Sequence, residues 1–513
     1  MARRAAWISA VASICLLCCA GCVAFPSGND GEAEQKPYEP AWDSITQHTV
    51  PEWFRDAKFG IYAHWGPYSV PAHGTEWYPH YMYNPDSDFY KWHKQHFGDP
   101  AEFGYKDFIP MFKAENFDAE QWAELFQKAG AKFAGPVAEH HDGFSMWDSE
   151  LTAWDAGERG PKRDITGELE KAVKKRGMKF ITSFHHARKW WYFEYSYTED
   201  DKYDTENPEY AGIGKIYPPS HEKGAPPTAE YMEEWQAKVR EVIDKYQPDL
   251  LWFDGGLKRK KFWRSVVDDF EKHKQRFLAY YYNKAAEEWD RDVGVTYKGE
   301  DLPDGAGILD IERGRMNKLS EDPWLTDTSV DRKSWCHISN PDYKSVNQLV
   351  DVLVDIVSKN GCMLLNIGPR ADGTIPQAQK DLLLGIGQWL ELNGEAIYGT
   401  RPWLVYGEGP STESDGGEIK ERRKEAAYNG RDLRFTTKGG TLYVICLGWP
   451  GRELTIESLG TKSPHYSGEL PTVSMLGVDG PLKWVRDQDG LTVKMPRRRP
   501  CDHAVTLRIP LEE

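Results

Sequence analysis

The chain has 513 residues and a formal net charge of −16, with 80 acidic against 64 basic side chains. Without a basic face there is nothing to hold phosphates, which excludes nucleic acid as a partner. Hydrophobic residues at 40% and charged residues at 28% are the balance of a soluble globular protein, and the length predicts two or three units, one of them a large barrel.

The N-terminus carries Arg3 and Arg4 followed by an apolar run from Ala5 to Leu17, the pattern of a secretory signal and too short to span a bilayer. Cys19-Ala20-Gly21-Cys22 is similar to a bacterial lipobox, with Cys19 where Leu is usual. The expectation is an exported lipoprotein with lipid on Cys22, and otherwise a free periplasmic protein. Residues 1–22 are thus signal and lipobox, and 23–44 read as a polar tether. Membrane association is expected only through that lipid. Of the eight cysteines, Cys336, Cys362, Cys446 and Cys501 remain in the body of the protein. None forms a CxxC pair, so neither a zinc knuckle nor a required disulfide is expected.

From residue 45 to 398 helix-like and strand-like patterns alternate, the signature of a parallel sheet with crossover helices. Trp122, Leu125, Phe126 and Ala129 recur at helical spacing before Gly130, and Lys132–Ala138 reads as a buried strand. Leu169, Ala172 and Val173 mark a helix stopped near Gly177, followed by a strand over Met178–Phe184. A helix from Tyr231 to Tyr246 ends before Pro248, and Leu250–Phe253 is the next strand. The pattern then predicts a helix over Val266–Lys274 leading into a strand over Phe277–Tyr282. Val346, Leu349, Val350, Leu353, Ile356 and Val357 mark an amphipathic helix ending at Asn360-Gly361, with Met363–Leu365 as strand. Thr198–Thr228 is a long loop or insertion placed to border a cleft. Residues 399–513 change to short strands between Gly, Pro and Asp clusters and predict an antiparallel β-sandwich.

Polar residues recur at the strand ends: His64, His140 and His141, His185 and His186, Asp254, Asn283 and Asn366. A doubly wound sheet would gather such groups at one switch point, whereas a (β/α) barrel collects its site from the ends of successive strands, so the barrel is the expected fold. Trp252-Phe253-Asp254-Gly255-Gly256 delivers a carboxylate at the tip of an apolar strand, suited to attack on an anomeric carbon and equally to capping the next helix. Adjacent His140 and His141 point to opposite faces of a strand, which argues against one metal and for hydrogen bonds to hydroxyls. His64-Trp65-Gly66 and Glu76-Trp77 add polar groups interleaved with rings able to stack on a sugar.

Five blocks together, Ala57–Gly66, Glu139–Phe144 through Trp147-Asp148-Ser149, Trp252–Gly255, Trp324 through Asp327-Thr328-Ser329 to Trp335, and Leu365–Pro369 through Asp372-Gly373, resemble the α-L-fucosidases of glycoside hydrolase family 29. The resemblance implies a (β/α)8-like barrel followed by a β-sandwich, and retaining hydrolysis of terminal α-L-fucose from an oligosaccharide or polysaccharide without metal or organic cofactor. It also implies that Asp254 is the nucleophile, and that His64, Glu76, Trp77, His140, His141 and His186, with Trp324 and Trp335 as an aromatic wall, form the sugar pocket. Glu139 stands where Lys is common, a departure expected not to affect sugar binding. Many relatives carry Arg after the strand that follows the nucleophile, where Tyr282-Asn283-Lys284 is expected; Lys284 and Arg291 are the candidates to replace it. For the acid/base, Glu287, Glu288, Glu300, Asp310, Glu312 and Glu321 qualify by type and Glu312 is selected by resemblance, against the reading of a surface Glu paired with Arg313 or Arg315. The alternatives in function are a retaining exo-glycosidase for α-L-galactose or a similar L-sugar, and a non-catalytic sugar-binding protein on the same scaffold.

Overall fold

Eight parallel strands close into a barrel: β1 Phe59–Ala63, β2 Phe133–Glu139, β3 Lys179–Phe184, β4 Leu250–Phe253, β5 Gly294–Lys298, β6 Ile308–Asp310, β7 Trp324–Ser329 and β8 Gly361–Ile367. β8 closes the ring on β1, with Tyr62 opposite Asn366. The computed structural model describes residues 37–200, 202–255, 267–411, 418–420 and 428–512. The expected signal, Cys22, the expected tether as far as residue 36 and Gly256 lie outside the described residues.

Local chemistry delimits the crossover helices. Asp118 caps Ala119–Lys128 by accepting from Gln121 N, and Gly130, at φ 89°, turns the chain into β2. Asp164 caps Ile165–Lys175 in the same way. Thr228 caps Ala229–Tyr246, which ends at left-handed Gln247 before Pro248. Ser345 and Gln348 form a capping box for Val346–Ser358.

One element differs from the sequence reading. Phe277–Tyr282 is not a strand but the middle of a helix, Val267–Glu288, and the strand after β4 is Gly294–Lys298. The run Phe277 to Tyr282 has the aromatic content of a strand, but its fully buried residues, Phe277, Leu278, Tyr281, Tyr282 and Ala285, follow the 3.6-residue period of a helix face. Asn283 therefore leaves the expected site: it accepts from Tyr38 N at 2.6 Å and donates to Tyr38 O at 2.8 Å, pinning the entering chain.

The barrel interior is a distinct cluster containing Tyr62, Phe133, Val137, Ile181, Leu250, Trp252, Ile308, Leu325, Cys362 and Leu364. Strand side chains alternate between the two faces, so these residues set which later positions face inward: His64 after Tyr62, His185 after Ile181 and Ser183, Asp254 after Trp252, Asp310 after Ile308, Asp327 after Leu325, and Asn366 after Leu364.

After the barrel come a five-stranded antiparallel sheet, ordered Arg401–Glu408, Leu433–Lys438, Thr441–Cys446, Val505–Pro510, Ser474–Met475, and a three-stranded sheet of Glu453–Ile456, Leu491–Lys494 and Trp484–Arg486. Their inward residues, among them Phe435, Leu442, Val444, Leu507, Ile456 and Val493, form a second core. Cys336, Cys362, Cys446 and Cys501 are free thiols.

A buried ion cluster ties the helix Val346–Ser358 to this region. Asp355 receives Arg434 Nε at 2.6 Å, Lys359 Nζ at 2.8 Å and Arg315 Nε at 3.1 Å. Burial pushes the Asp355 carboxyl up, but the three cations outweigh it and hold the group well below the usual carboxylate range. A carboxyl depressed in this way contributes stability above its unfolded pKa of about 4 and loses it as pH falls through the folded value. Asp355→Asn is expected to cost about 3 to 5 kcal/mol in urea unfolding at pH 7, with the gap from the parent narrowing below about pH 4.

Candidate active site

Asp254 follows β4 directly, and its backbone N–H bonds Phe184 O at 3.0 Å, which holds it at the C-terminal mouth of the barrel. Its Oδ1 accepts from Gly255 N at 2.8 Å and lies 3.5 Å from Lys298 Nζ. Its Oδ2 lies 3.4 Å from His141 Nε2, 3.6 Å from His185 Nδ1 and 3.7 Å from Arg188 Nη1. Burial alone would raise this carboxyl, yet Arg188, Lys298 and His185 reverse the sign and hold it well below the usual carboxylate range. Asp254 is therefore a buried carboxylate that stays ionised.

Four imidazoles wall the mouth. The ring centroids of His140 lie 4.4 Å from His141, 4.5 Å from His185 and 5.5 Å from His64. His140 and His141 both reach the mouth because β2 ends at Glu139 after an irregularity between Val137 and Glu139, so strict alternation stops before the pair. Burial lowers His64, His140 and His141 well below the usual imidazole value, so these rings are neutral and each offers one donor and one acceptor. Neighbouring groups set the tautomers. Asn366 donates through Nδ2 to Trp335 O at 2.6 Å and Ser329 Oγ at 3.0 Å. That turns its Oδ1 towards His64, whose Nδ1 must carry the hydrogen across 2.8 Å, leaving Nε2 as acceptor. His141 Nδ1 faces His185 O at 2.7 Å and must likewise donate, so its Nε2 lone pair faces Asp254. A sugar hydroxyl, with its single hydrogen, can donate to one of these acceptors, and the other needs a second donor. His140 Nδ1, His185 Nε2 and Tyr68 Oη are buried without protein partners, and this is costly unless a ligand or water completes them.

The remaining wall is aromatic and acidic. Trp77 sits 5.0 Å from His141, and Trp335 5.4 Å from His64, by ring centroids. Trp335 N donates to Glu76 Oε2 at 3.2 Å, and burial raises the Glu76 carboxyl. Gly368 lets the Trp335 loop pass, since a Cβ there would meet Cys336 and His337 backbone at 2.6 Å.

Lys298, the last residue of β5, joins the acidic groups. Besides Asp254 it lies 3.1 Å from Glu312 Oε2, 3.4 Å from Asp327 Oδ1 and 3.7 Å from Asp310 Oδ2. Burial disfavours its charge, but Asp327, Glu312, Asp254 and Asp310 together raise its pKa well above the usual lysine value. Asp310 is buried against Asp327, and both burial and that neighbour push its carboxyl well up.

The structure brings together His64, Glu76, Trp77, His140, His141, Asp254, Glu312 and Trp335, and leaves two expected residues outside. His186 points away from the mouth: its Nε2 is 3.3 Å from Trp235 O, its ring stacks on Trp235, and burial lowers its pKa to about 4. It is in phase with outward-facing Phe180 and Phe184, and His185 takes the inward place. Trp324 opens β7 at the opposite end of the barrel, with Nε1 on Lys359 O at 3.0 Å. Lys284 pairs with Asp244 at 2.9 Å and Arg291 with Asp249 at 3.2 Å, so neither supplies the cation; Lys298 and Arg188 do. Lys298 ends the strand Gly294–Lys298, whose sequence signal is the Val295–Lys298 run before Gly299. Arg188, in a turn beyond β3, left no periodic signal. Glu312 pairs with neither Arg313, which caps Trp335 at 4.3 Å, nor Arg315. Glu300 is exposed and Glu287 and Glu288 lie on the helix behind β5. Glu139 is fully buried and receives Lys238 Nζ at 2.8 and 3.0 Å, so the departure at this position brings its own counter-ion.

Two groups, His64 with His140 and His185, and His141 with His185 and Asp254, place their ligand atoms within 4.8 Å of one another and could hold a cation. The same atoms are the acceptors and donors that a polyhydroxylated ring needs.

A closed barrel with an ionised carboxylate, a second carboxylate across a shared ammonium and a wall of imidazoles and indoles defines a glycoside hydrolase. The chain matches the family model for α-L-fucosidase over residues 27–395 and that for the α-L-fucosidase C-terminal domain over residues 428–510. It is similar to the tissue α-L-fucosidase of Rattus norvegicus, 31% identical over 479 residues and covering 90% of this chain and 89% of the relative. With the α-L-fucosidase of Branchiostoma floridae it shares 30% identity over 492 residues, 93% of this chain and 96% of the relative. The Thermotoga maritima α-fucosidase solved in complex with fucose superposes with a TM-score of 0.71 at 32% identity, covering 92% of this chain and all of that one. The chain belongs to the α-L-fucosidase family.

Removing the Lys298 ammonium leaves Arg188 as the main cation on Asp254. Lys298→Met is therefore expected to raise the Asp254 pKa and move the acid limb of the kcat/KM–pH profile to higher pH, and Lys298→Arg to restore it. An unmoved limb in Lys298→Met would detach Lys298 from Asp254.

Proposed function

We propose that this protein is an exported retaining exo-α-L-fucosidase that releases terminal α-L-fucose from oligosaccharides or polysaccharides, with Asp254 as nucleophile and Glu312 as acid/base. The observation that carries the assignment of roles is the pair of carboxylates flanking Lys298, one buried and ionised, the other half-exposed. Oδ1 of Asp254 is held by the Gly255 N–H, so Oδ2, facing the imidazoles, is the attacking atom. In the first step Oδ2 bonds to C1 of fucose as the C1–O bond to the aglycone breaks, and Glu312 gives its proton to the departing oxygen. In the second, Glu312 takes a proton from water, the hydroxyl bonds to C1, and the Asp254 ester is released. Two displacements return the original configuration. His64, His140, His141 and His185 meet the sugar hydroxyls with Glu76, and Trp77 and Trp335 cover its apolar faces.

Stereochemistry separates the two roles. Asp254→Gly is expected to lower kcat at least about a thousandfold, with azide rescuing turnover of an aryl α-L-fucoside to the inverted β-fucosyl azide. Glu312→Ala keeps the nucleophile, so azide should yield the retained α-fucosyl azide, and substrates with poor leaving groups should suffer most. The opposite pair of products, read by proton NMR, would exchange the assignments.

The N-terminal signal and the Cys19–Cys22 segment support export with lipid on Cys22. Among the described residues no helix is long and apolar enough to cross a membrane. Cys22→Ser is expected to block incorporation of labelled palmitate and release the protein from the membrane fraction; a parent protein already soluble would remove the anchor.

A further inference from the structure

Beyond the pocket an aromatic surface runs outward from Trp77. His80 lies 5.3 Å and Tyr81 6.3 Å from the Trp77 ring, and Tyr195 lies 4.6 Å from His80 and 6.5 Å from Tyr81. Tyr195 is one of the few large hydrophobic side chains left exposed among the described residues, at 36%, although its neighbours are fixed. His80 Nδ1 is held on Tyr192 O, and burial lowers the His80 pKa, so the ring is neutral. Tyr192 Oη donates to Glu76 O at 2.8 Å and its ring sits 5.3 Å from His141, which ties this wall to the sugar pocket.

The far edge comes from the end of the long insertion. Trp190 and Trp191 both donate to Ala225 O, at 2.9 and 3.1 Å, and Gly224 N donates to Glu194 Oε1 at 2.6 Å. Trp190 stacks on His221 at 4.1 Å. The loop thus pinned sets Lys223 Nζ over the Tyr195 ring at 4.9 Å, a cation–π contact that holds the ring in place. Tyr195 is therefore a flat, preorganised ring two ring contacts from Trp77, and Trp77 adjoins His141, which faces the reacting carboxylate.

We infer that Tyr81 and Tyr195 form a subsite for the sugar unit to which the fucose is attached, its pyranose ring stacking on this surface while the fucose occupies the imidazole-lined pocket. The inference rests on the fucosidase reading. Stacking binds through a ring face and needs no particular hydroxyl, so the subsite favours a glycan over a small leaving group. Fluoride cannot occupy the subsite, so α-L-fucosyl fluoride reports on the pocket alone.

The test compares kcat/KM for α-L-fucosyl fluoride with that for the best substrate among α1,2-, α1,3-, α1,4- and α1,6-linked fucosyl trisaccharides, in the parent, Tyr195→Ala and Tyr195→Phe. Tyr195→Ala should lose roughly three- to tenfold on the trisaccharide with the fluoride rate unchanged, and Tyr195→Phe, which keeps the ring, should match the parent on both. Equal effects on both substrates, or none on the trisaccharide, would overturn the subsite. So would a parent that cleaves the fluoride and no trisaccharide, whereas a parent inactive on the fluoride would overturn the fucosidase reading itself.

Discussion

The ammonium of Lys298 is the contact on which the site depends. Asp254, Asp310, Glu312 and Asp327 approach one another at the mouth of the barrel, and without a cation their mutual repulsion would keep protons on some of them and push others away. Lys298 lies within 3.7 Å of all four, stacked over the Trp252 ring at 4.7 Å, and so lets the acidic groups share one mouth. Tyr62 Oη on Asp327 at 3.1 Å and Trp252 Nε1 on Asp310 at 3.2 Å lock the deeper pair. Asp254 and Glu312 are left facing the cleft.

Around this charged centre the protein places groups that carry none. The buried imidazoles of His64, His140 and His141 are neutral because burial penalises imidazolium, and Asn366 and the His185 carbonyl dictate which nitrogen of His64 and of His141 holds the hydrogen. Such neutral rings can match the hydroxyls of a sugar without adding charge beside the Asp254 carboxylate. The fold thereby separates two tasks that would conflict if the histidines were protonated.

Much of this was legible in the sequence and some was not, for identifiable reasons. Asp254 could be found because an apolar strand followed by glycine announces its own tip. His185 and His186 could not be ranked, because choosing between adjacent residues requires knowing which face of β3 looks inward, and that depends on Ile181 and Ser183 joining the interior. Trp324 sat in a recognisable block, yet a block does not say which end of its strand meets the site. Lys298 was hidden by the aromatic run Phe277–Tyr282, whose composition suits a strand and whose burial follows a helix. Arg188 reaches Asp254 only through a turn, with Nε on Gly255 O at 2.5 Å.

By itself the sequence determined the alternation of strands and helices, the strand-tip block that carries Asp254 and the paired histidines, because each is written in local spacing and strand–turn chemistry. Tertiary structure alone decided which polar residues share the mouth and how they are charged: closure of the barrel imposes one inward phase on eight strands, and the burial it creates fixes the charge states of the groups gathered there.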